Sequence, residues 1–135
     1  MKHHPVVSVI TATYNRKHTL RAVYEGLLLQ TFIDFEWIIV DDGSIDGTSE
    51  LVAKWKPSFP IVYKYMENGG RPSAVNFGLT CAKGKYLVCL DSDDVPVPEI
   101  KLSFLFNFPT SFKCALNLHP ITIQYEKKGF YTCQG

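Results

Sequence analysis

Four short apolar runs, each closed by a polar turn and spaced by segments of helical period, constrain the fold of this chain more than any other feature. Residues 6–12 (VVSVITA) are apolar and β-branched, hence strand-like. Leu20, Val23, Tyr24, Leu27 and Leu28 then fall on one helical face, which Gly26 weakens slightly but leaves intact. Residues 37–40 (WIIV) form a second run, ended by DDGS. Asp46 or Thr48 can cap a following helix that carries Leu51, Val52 and Trp55, and Pro57 and Pro60 punctuate its end. Residues 61–66 (IVYKYM) are a third, more polar strand, expected near an edge of the sheet. Pro72 suits a helix first turn, Gly84 its stop, and Val75, Leu79 and Ala82 its inward face. Residues 86–90 (YLVCL) are apolar throughout, as a strand covered on both faces should be.

Such alternation predicts an α/β domain in three layers, α/β/α, around a mainly parallel sheet. Ligands of such sheets gather at the carboxyl ends of the strands. The polar clusters TYNR, DDGS, NGGR and DSDD follow the four strands in turn, so all four are expected on one edge. The chain divides into residues 1–100, which carry this pattern, and a divergent tail, residues 101–135. In the tail a helix is expected near 99–106, and the pattern is weak from 107 on.

Composition narrows the function. Hydrophobic residues make up 46% of the 135, enough for a core. The net charge of +1, from 14 basic and 13 acidic residues, gives no electrostatic case for nucleic acid as a partner. There is no apolar run of membrane-span length and no cleavage pattern near the start, so a cytoplasmic location is expected. The four cysteines lack C-x-x-C spacing, which disfavours zinc, and Cys89 inside an apolar run reads as a buried free thiol.

DSDD places Asp91, Asp93 and Asp94 together at a strand end, where like charges repel unless something positive sits among them. Hard carboxylate oxygens suit Mg²⁺ or Mn²⁺. In isolation the motif is more readily a solvated acidic turn. A strand followed by D-S-D-D-V also resembles the nucleophile motif of haloacid-dehalogenase-type phosphatases, but that motif opens its domain and this one comes late. Asp41 and Asp42 with Gly43 and Ser44 fit turn and capping chemistry. A receiver-type site would need paired acids after the first strand, and a dinucleotide site would need G-x-G-x-x-G there; TYNR is neither. Gly69-Gly70-Arg71-Pro72 leads into a helix start, as open to a plain loop as to a phosphate contact.

Taken in order, SVITATYNR, EWIIVDDGSIDGT, NGGRPSAVNFGL and AKGKYLVCLDSDDV resemble the nucleotide-sugar half of family 2 glycosyltransferases, which have the GT-A fold. The resemblance covers about residues 5–100. It implies a nucleotide-diphospho-sugar donor, often a UDP-sugar, and transfer to an acceptor hydroxyl with inversion, in pathways such as surface polysaccharide or glycolipid assembly. By this likeness Thr11, Tyr14 and Arg16 line the nucleotide pocket, and Asp41 accepts a hydrogen bond from the base with Asp42 beside it. Asn68, Gly70, Arg71 and Asn76 shape the donor side. Asp91 and Asp93 are the D-x-D pair, Asp93 the more direct ligand of a Mn²⁺ or Mg²⁺ ion and Asp91 nearer the ribose or a metal-bound water.

Inverting transfer also needs a general base. In the family this is a downstream carboxylate, and beyond residue 94 the sequence offers only Glu99 and Glu126. Glu99 reads as a first-turn helix acid, Glu126 as part of a turn, and His119 as a surface residue. The donor half is therefore expected to be complete and the acceptor half missing, which leaves a non-catalytic nucleotide-sugar-binding fragment as the alternative reading. Phe104, Leu105, Phe106 and Phe108 suit self-association into a homo-oligomer or, as the lesser reading, peripheral contact with the inner face of a membrane.

Overall fold

The computed structural model describes residues 4–94, 96, 117–118 and 121–126, the last two groups as backbone only. Seven elements follow the expected alternation: β1 (Val7–Thr13), α1 (Lys17–Leu28), β2 (Phe35–Asp41), α2 (Thr48–Ala53), β3 (Ile61–Tyr65), α3 (Arg71–Cys81) and β4 (Tyr86–Leu90). Two further strands, β5 (Asn117–Leu118) and β6 (Ile121–Glu126), complete a sheet of order β3-β2-β1-β4-β6-β5. The first four strands in that order are mutually parallel, and β6 pairs antiparallel with β4 and with β5. Glu126 thus belongs to a strand, opposite Tyr86, and not to the expected turn. Glu99, His119 and the Phe104–Phe108 stretch lie outside the described residues.

Side-chain alternation along the strands splits the core into two layers. Val7, Val9, Phe35, Trp37, Ile39, Val88 and Leu90 pack with Leu20, Val23 and Leu27 of α1 and Val52 of α2. Ile10, Ile38, Val40 and Leu87 pack with Ala74 of α3 and with Ala82 just beyond it. Helices therefore cover both faces, the three-layer α/β/α arrangement expected. The burial of whole strands follows: every residue of β2 is buried, whereas β3, at the sheet edge, is half-buried to exposed. Tyr24 stacks on Trp55 at 4.2 Å between ring centroids, and Trp37 lies against the same pair.

Two expectations about helices are corrected. The buried residues within α3 are Ala74 and Gly78, one step out of phase with Val75 and Leu79, which are only half-buried. A Cβ at Gly78 would lie 2.6 Å from Cγ2 of Ile10 and 3.2 Å from Cγ2 of Val40. The helix sits too close to the sheet for larger side chains at Gly78, while half-buried Leu79 packs against the same layer and Ala82 is buried as expected. Gly84 is likewise not the stop of α3, which ends at Cys81; a Cβ there would lie 2.5 Å from the backbone nitrogen of Ser8. At this end of the sheet, opposite the polar turns, the Ser8 hydroxyl donates to buried Glu36 at 2.6 Å, the Lys83 amide donates to the same Glu36 oxygen, and the Gly84 amide donates to Ser8. This network anchors the turn that aims β4.

Candidate functional site

The parallel strand order β3-β2-β1-β4 reverses at β1. Successive connections run outward from β1 through β2 to β3, and the next crosses back to β4 on the other side. Such a switch point opens a crevice at the carboxyl ends of the two strands that part there. A cavity of about 580 Å³ lies there, lined by Ala12, Thr13, Tyr14 and Arg16 after β1 and by Asp91, Ser92 and Asp93 after β4. Asp42, Asn68, Gly70 and Arg71 complete its wall.

Hydrogen bonds hold these turns together. Asn15, at φ +50, donates its amide to the Ser44 hydroxyl at 2.8 Å, and its side-chain oxygen accepts from the Ile45 amide at 2.9 Å. Asparagine tolerates this left-handed conformation better than most residues. Asp46 accepts from the Lys17 amide at 2.9 Å and from the Thr48 hydroxyl at 2.6 Å. Desolvation raises its pKa, but the hydrogen bonds from Thr48 and the Lys17 amide outweigh this and leave it below the ordinary carboxylate value. Asp46 therefore serves the start of α1. Neither it nor Thr48 is the N-cap of α2, a position taken by Gly47. Asp42 grips the next loop: its two carboxylate oxygens accept from the amides of Gly69 at 2.8 Å and Gly70 at 3.0 Å, and its carbonyl accepts from the Asn68 side chain.

The acids of DSDD are met by arginines. Arg16 donates to Asp93 at 2.8 Å, and Arg71, the first residue of α3, pairs with Asp91. All four side chains are about half exposed. Asp91, Asp93 and Asp94 offer carboxylate oxygens within 4.8 Å of one another, the only such group of three among the described residues. A set of hard oxygen donors this close fits Mg²⁺ or Mn²⁺.

Of the residues singled out from sequence, Tyr14, Arg16, Asp42, Arg71, Asp91 and Asp93 converge on the cavity, together with Asn68 and Gly70. Thr11, Asp41 and Asn76 are not among its lining. Thr11 is fully buried and accepts a 2.9 Å hydrogen bond from the Trp37 indole. Asp41 is 1% exposed; one oxygen accepts from the Ser44 amide and the other from the Tyr63 hydroxyl. Burial first, and then the bond to Asp41, push the Tyr63 pKa well above its ordinary value. Asn76 lies exposed on α3. Sequence reasoning passed over Ala12, Thr13 and Ser92. Thr13 matters most: it is 2% exposed, and its hydroxyl has no hydrogen-bond partner among the described residues.

A mainly parallel sheet in three α/β/α layers, with a polar cavity at its switch point, fits the GT-A fold. Solved structures agree. TarS of S. aureus (residues 1–349), in complex with UDP-GlcNAc, superposes with a TM-score of 0.65 and 32% identity, over 69% of this chain and 28% of that one. The mannosyltransferase PcManGT of Pyrobaculum calidifontis, in complex with GDP-Man and Mn²⁺, superposes with a TM-score of 0.64 and 28% identity, over 70% of this chain and 29% of that one.

Residues 8–110 match the family described as Glycosyl transferase family 2, and the chain belongs to it. An uncharacterized glycosyltransferase of Rickettsia felis is 42% identical over 106 residues, 76% of this chain and 18% of the relative. The Escherichia coli protein WfaP, a UDP-Glc:alpha-D-GlcNAc-diphosphoundecaprenol beta-1,3-glucosyltransferase, is 44% identical over 89 residues, 66% of this chain and 36% of the relative. The chain thus spans about a fifth to a third of the length of these relatives. No helix among the described residues is long and apolar enough to cross a membrane.

Proposed function

We propose that residues 1–100 form the donor-binding unit of an inverting, metal-assisted glycosyltransferase that takes its sugar from a nucleotide diphosphate, UDP in the first instance, and passes it to a carbohydrate or lipid-linked hydroxyl. One observation carries this reading: two arginines and the D-x-D carboxylates, Asp91 and Asp93, converge on a single cavity at the switch point of the sheet. The diphosphate needs cationic groups, and Arg16 and Arg71 supply them in the planar form that matches phosphate oxygens. Tyr14 offers a half-exposed ring at the cavity wall, suited to a base or ribose. Asp42, fixed by two loop amides, faces the same space and suits a base N–H better than Asp41 does.

Asp93 and Asp91, with Asp94 beside them, would hold the divalent cation. When bound, it supplies positive charge to the diphosphate leaving group. The relatives that bind UDP-GlcNAc, or GDP-Man with Mn²⁺, support a nucleotide-sugar donor and a cation here. Rigid strands beneath Asp91 and Thr13 keep the site preorganised, so little rearrangement is needed at reaction.

The test is calorimetric titration of UDP with Mn²⁺ present and with chelator. Metal-dependent binding is expected, and Asp93→Asn should weaken it at least tenfold. Binding that ignores both the chelator and the substitution would refute metal assistance. Binding of GDP in preference to UDP would replace the donor base. Sugar transfer to an acceptor separates the enzyme from a donor-binding unit, which would show slow donor hydrolysis alone.

A further inference from the structure

We infer that Arg16 and Arg71 are exchange partners: without ligand they hold the carboxylates of Asp93 and Asp91, and when the donor binds they transfer to its diphosphate and release those carboxylates to the cation. This rests on the nucleotide-sugar reading above. It adds that metal and nucleotide cannot bind independently.

The two ion pairs divide the work evenly. Each guanidinium comes from a different turn, Arg16 from the end of β1 and Arg71 from the start of α3, and each takes one acid at the end of β4. All four side chains line the same cavity. A divalent cation arriving alone finds Asp91 and Asp93 already paired and two guanidiniums beside it. A diphosphate arriving alone finds the arginines engaged and the acids repelling it. When both arrive, every charge gains a better partner: guanidinium forks meet phosphate oxygens, and hard carboxylates meet a hard cation.

The exchange is cheap because the pairs are exposed, at 50% and 52% for Arg16 and Asp93 and 62% and 47% for Arg71 and Asp91. Such pairs are worth up to about a fivefold change in an equilibrium each. They are strong enough to bias the empty site and weak enough to yield. Linkage then requires reciprocity, so UDP must tighten Mn²⁺ by the same factor by which Mn²⁺ tightens UDP.

The experiment measures Mn²⁺ binding alone, by the electron paramagnetic resonance signal of the free ion, and UDP binding by calorimetry. It uses the full 135-residue chain as wild type, Arg16→Gln, Arg71→Gln and the double variant, with Arg16→Lys and Arg71→Lys as charge-retaining controls. Removing each arginine should tighten Mn²⁺ alone by about fivefold and weaken UDP in the presence of Mn²⁺ by tenfold or more. The lysine variants should leave Mn²⁺ alone near the wild-type affinity. UDP binding by the wild type, with Mn²⁺ affinity unmoved or weakened in the double variant, overturns the exchange and leaves the nucleotide reading standing. Failure of the wild type to bind UDP or GDP with any metal overturns the nucleotide reading, and the exchange with it.

Discussion

At the scale of single residues, Thr13 shows how a site departs from the rules of a stable core. A buried hydroxyl without a partner carries a desolvation cost, typically about 1–3 kcal/mol. Folding alone gives no reason to keep it, since valine has nearly the same shape. Thr13→Val should therefore raise the stability of the unliganded protein by about 1 kcal/mol, read as a higher urea midpoint. A lower midpoint would mean that the hydroxyl has a folding role. Sequence reading favoured Thr11 over Thr13, although both lie on the same strand with the same parity. What separates them is depth: Thr11 lies under Trp37 and Thr13 at the strand's end, and depth along a strand is set by packing that the sequence does not display. Asp41 and Asp42 pose the same difficulty. Adjacent acids in a turn look alike in sequence, and only the hydrogen bonds of Tyr63 and Ser44 to one, and of Gly69 and Gly70 to the other, tell them apart.

Among the elements, the strands were the most legible and the helix phases the least. All four parallel strands fall where short apolar runs predict them, because a buried strand needs nothing more than that. For α3 the apolar residues Val75, Leu79 and Ala82 suggest the inward face; Ala82 is buried and half-buried Leu79 packs against the core, but close approach to the sheet puts Ala74 and Gly78 at its centre. Gly78 is the decisive residue. Gly78→Ala should improve helix propensity by about 1 kcal/mol, yet the new methyl meets Ile10 and Val40. Overpacking of this kind costs about 1–3 kcal/mol, so a net loss of stability is expected in urea melts, with a repositioned Arg71 and weaker UDP binding. A gain would show that α3 can lift without strain. Asn76 misleads for a related reason. Five residues beyond Arg71, it lies roughly 140° further around the helix and is not among the cavity's lining. Gly26, read from sequence as a mere weakness of α1, is where Pro96 packs: a Cβ there would lie 2.8 Å from the proline ring. Pro96 thus rests on the first helix, and Gly26→Ala should loosen the acidic turn and weaken Mn²⁺ binding.

For the molecule as a whole, the same sheet that positions the site also buries groups whose protonation folding must preserve. Cys89, in the middle of β4, has its thiol pushed up from 9.0 to about 11, first by burial, with Arg71 opposing and Asp91 adding to the shift. Tyr63, under Asp41, is shifted in the same direction. In both cases the folded state keeps a proton that the unfolded chain gives up sooner, so the stabilisation is present below the unfolded pKa and is lost as pH rises towards the folded one. Urea midpoints should therefore hold steady up to about pH 9 and fall from there to pH 11, with Cys89 contributing roughly 2 kcal/mol of that loss. Cys89→Ala should flatten the slope between pH 9 and pH 11, and Tyr63→Phe should flatten it above pH 10. An unchanged slope in Cys89→Ala would mean that solvent reaches the thiol and that β4 is not covered on both faces. That outcome would reach beyond one cysteine, because Asp91 and Asp93 stand at the end of β4. A strand free to admit water could not hold their carboxylates in register with Arg71 and Arg16, and the preorganised cavity would go with it.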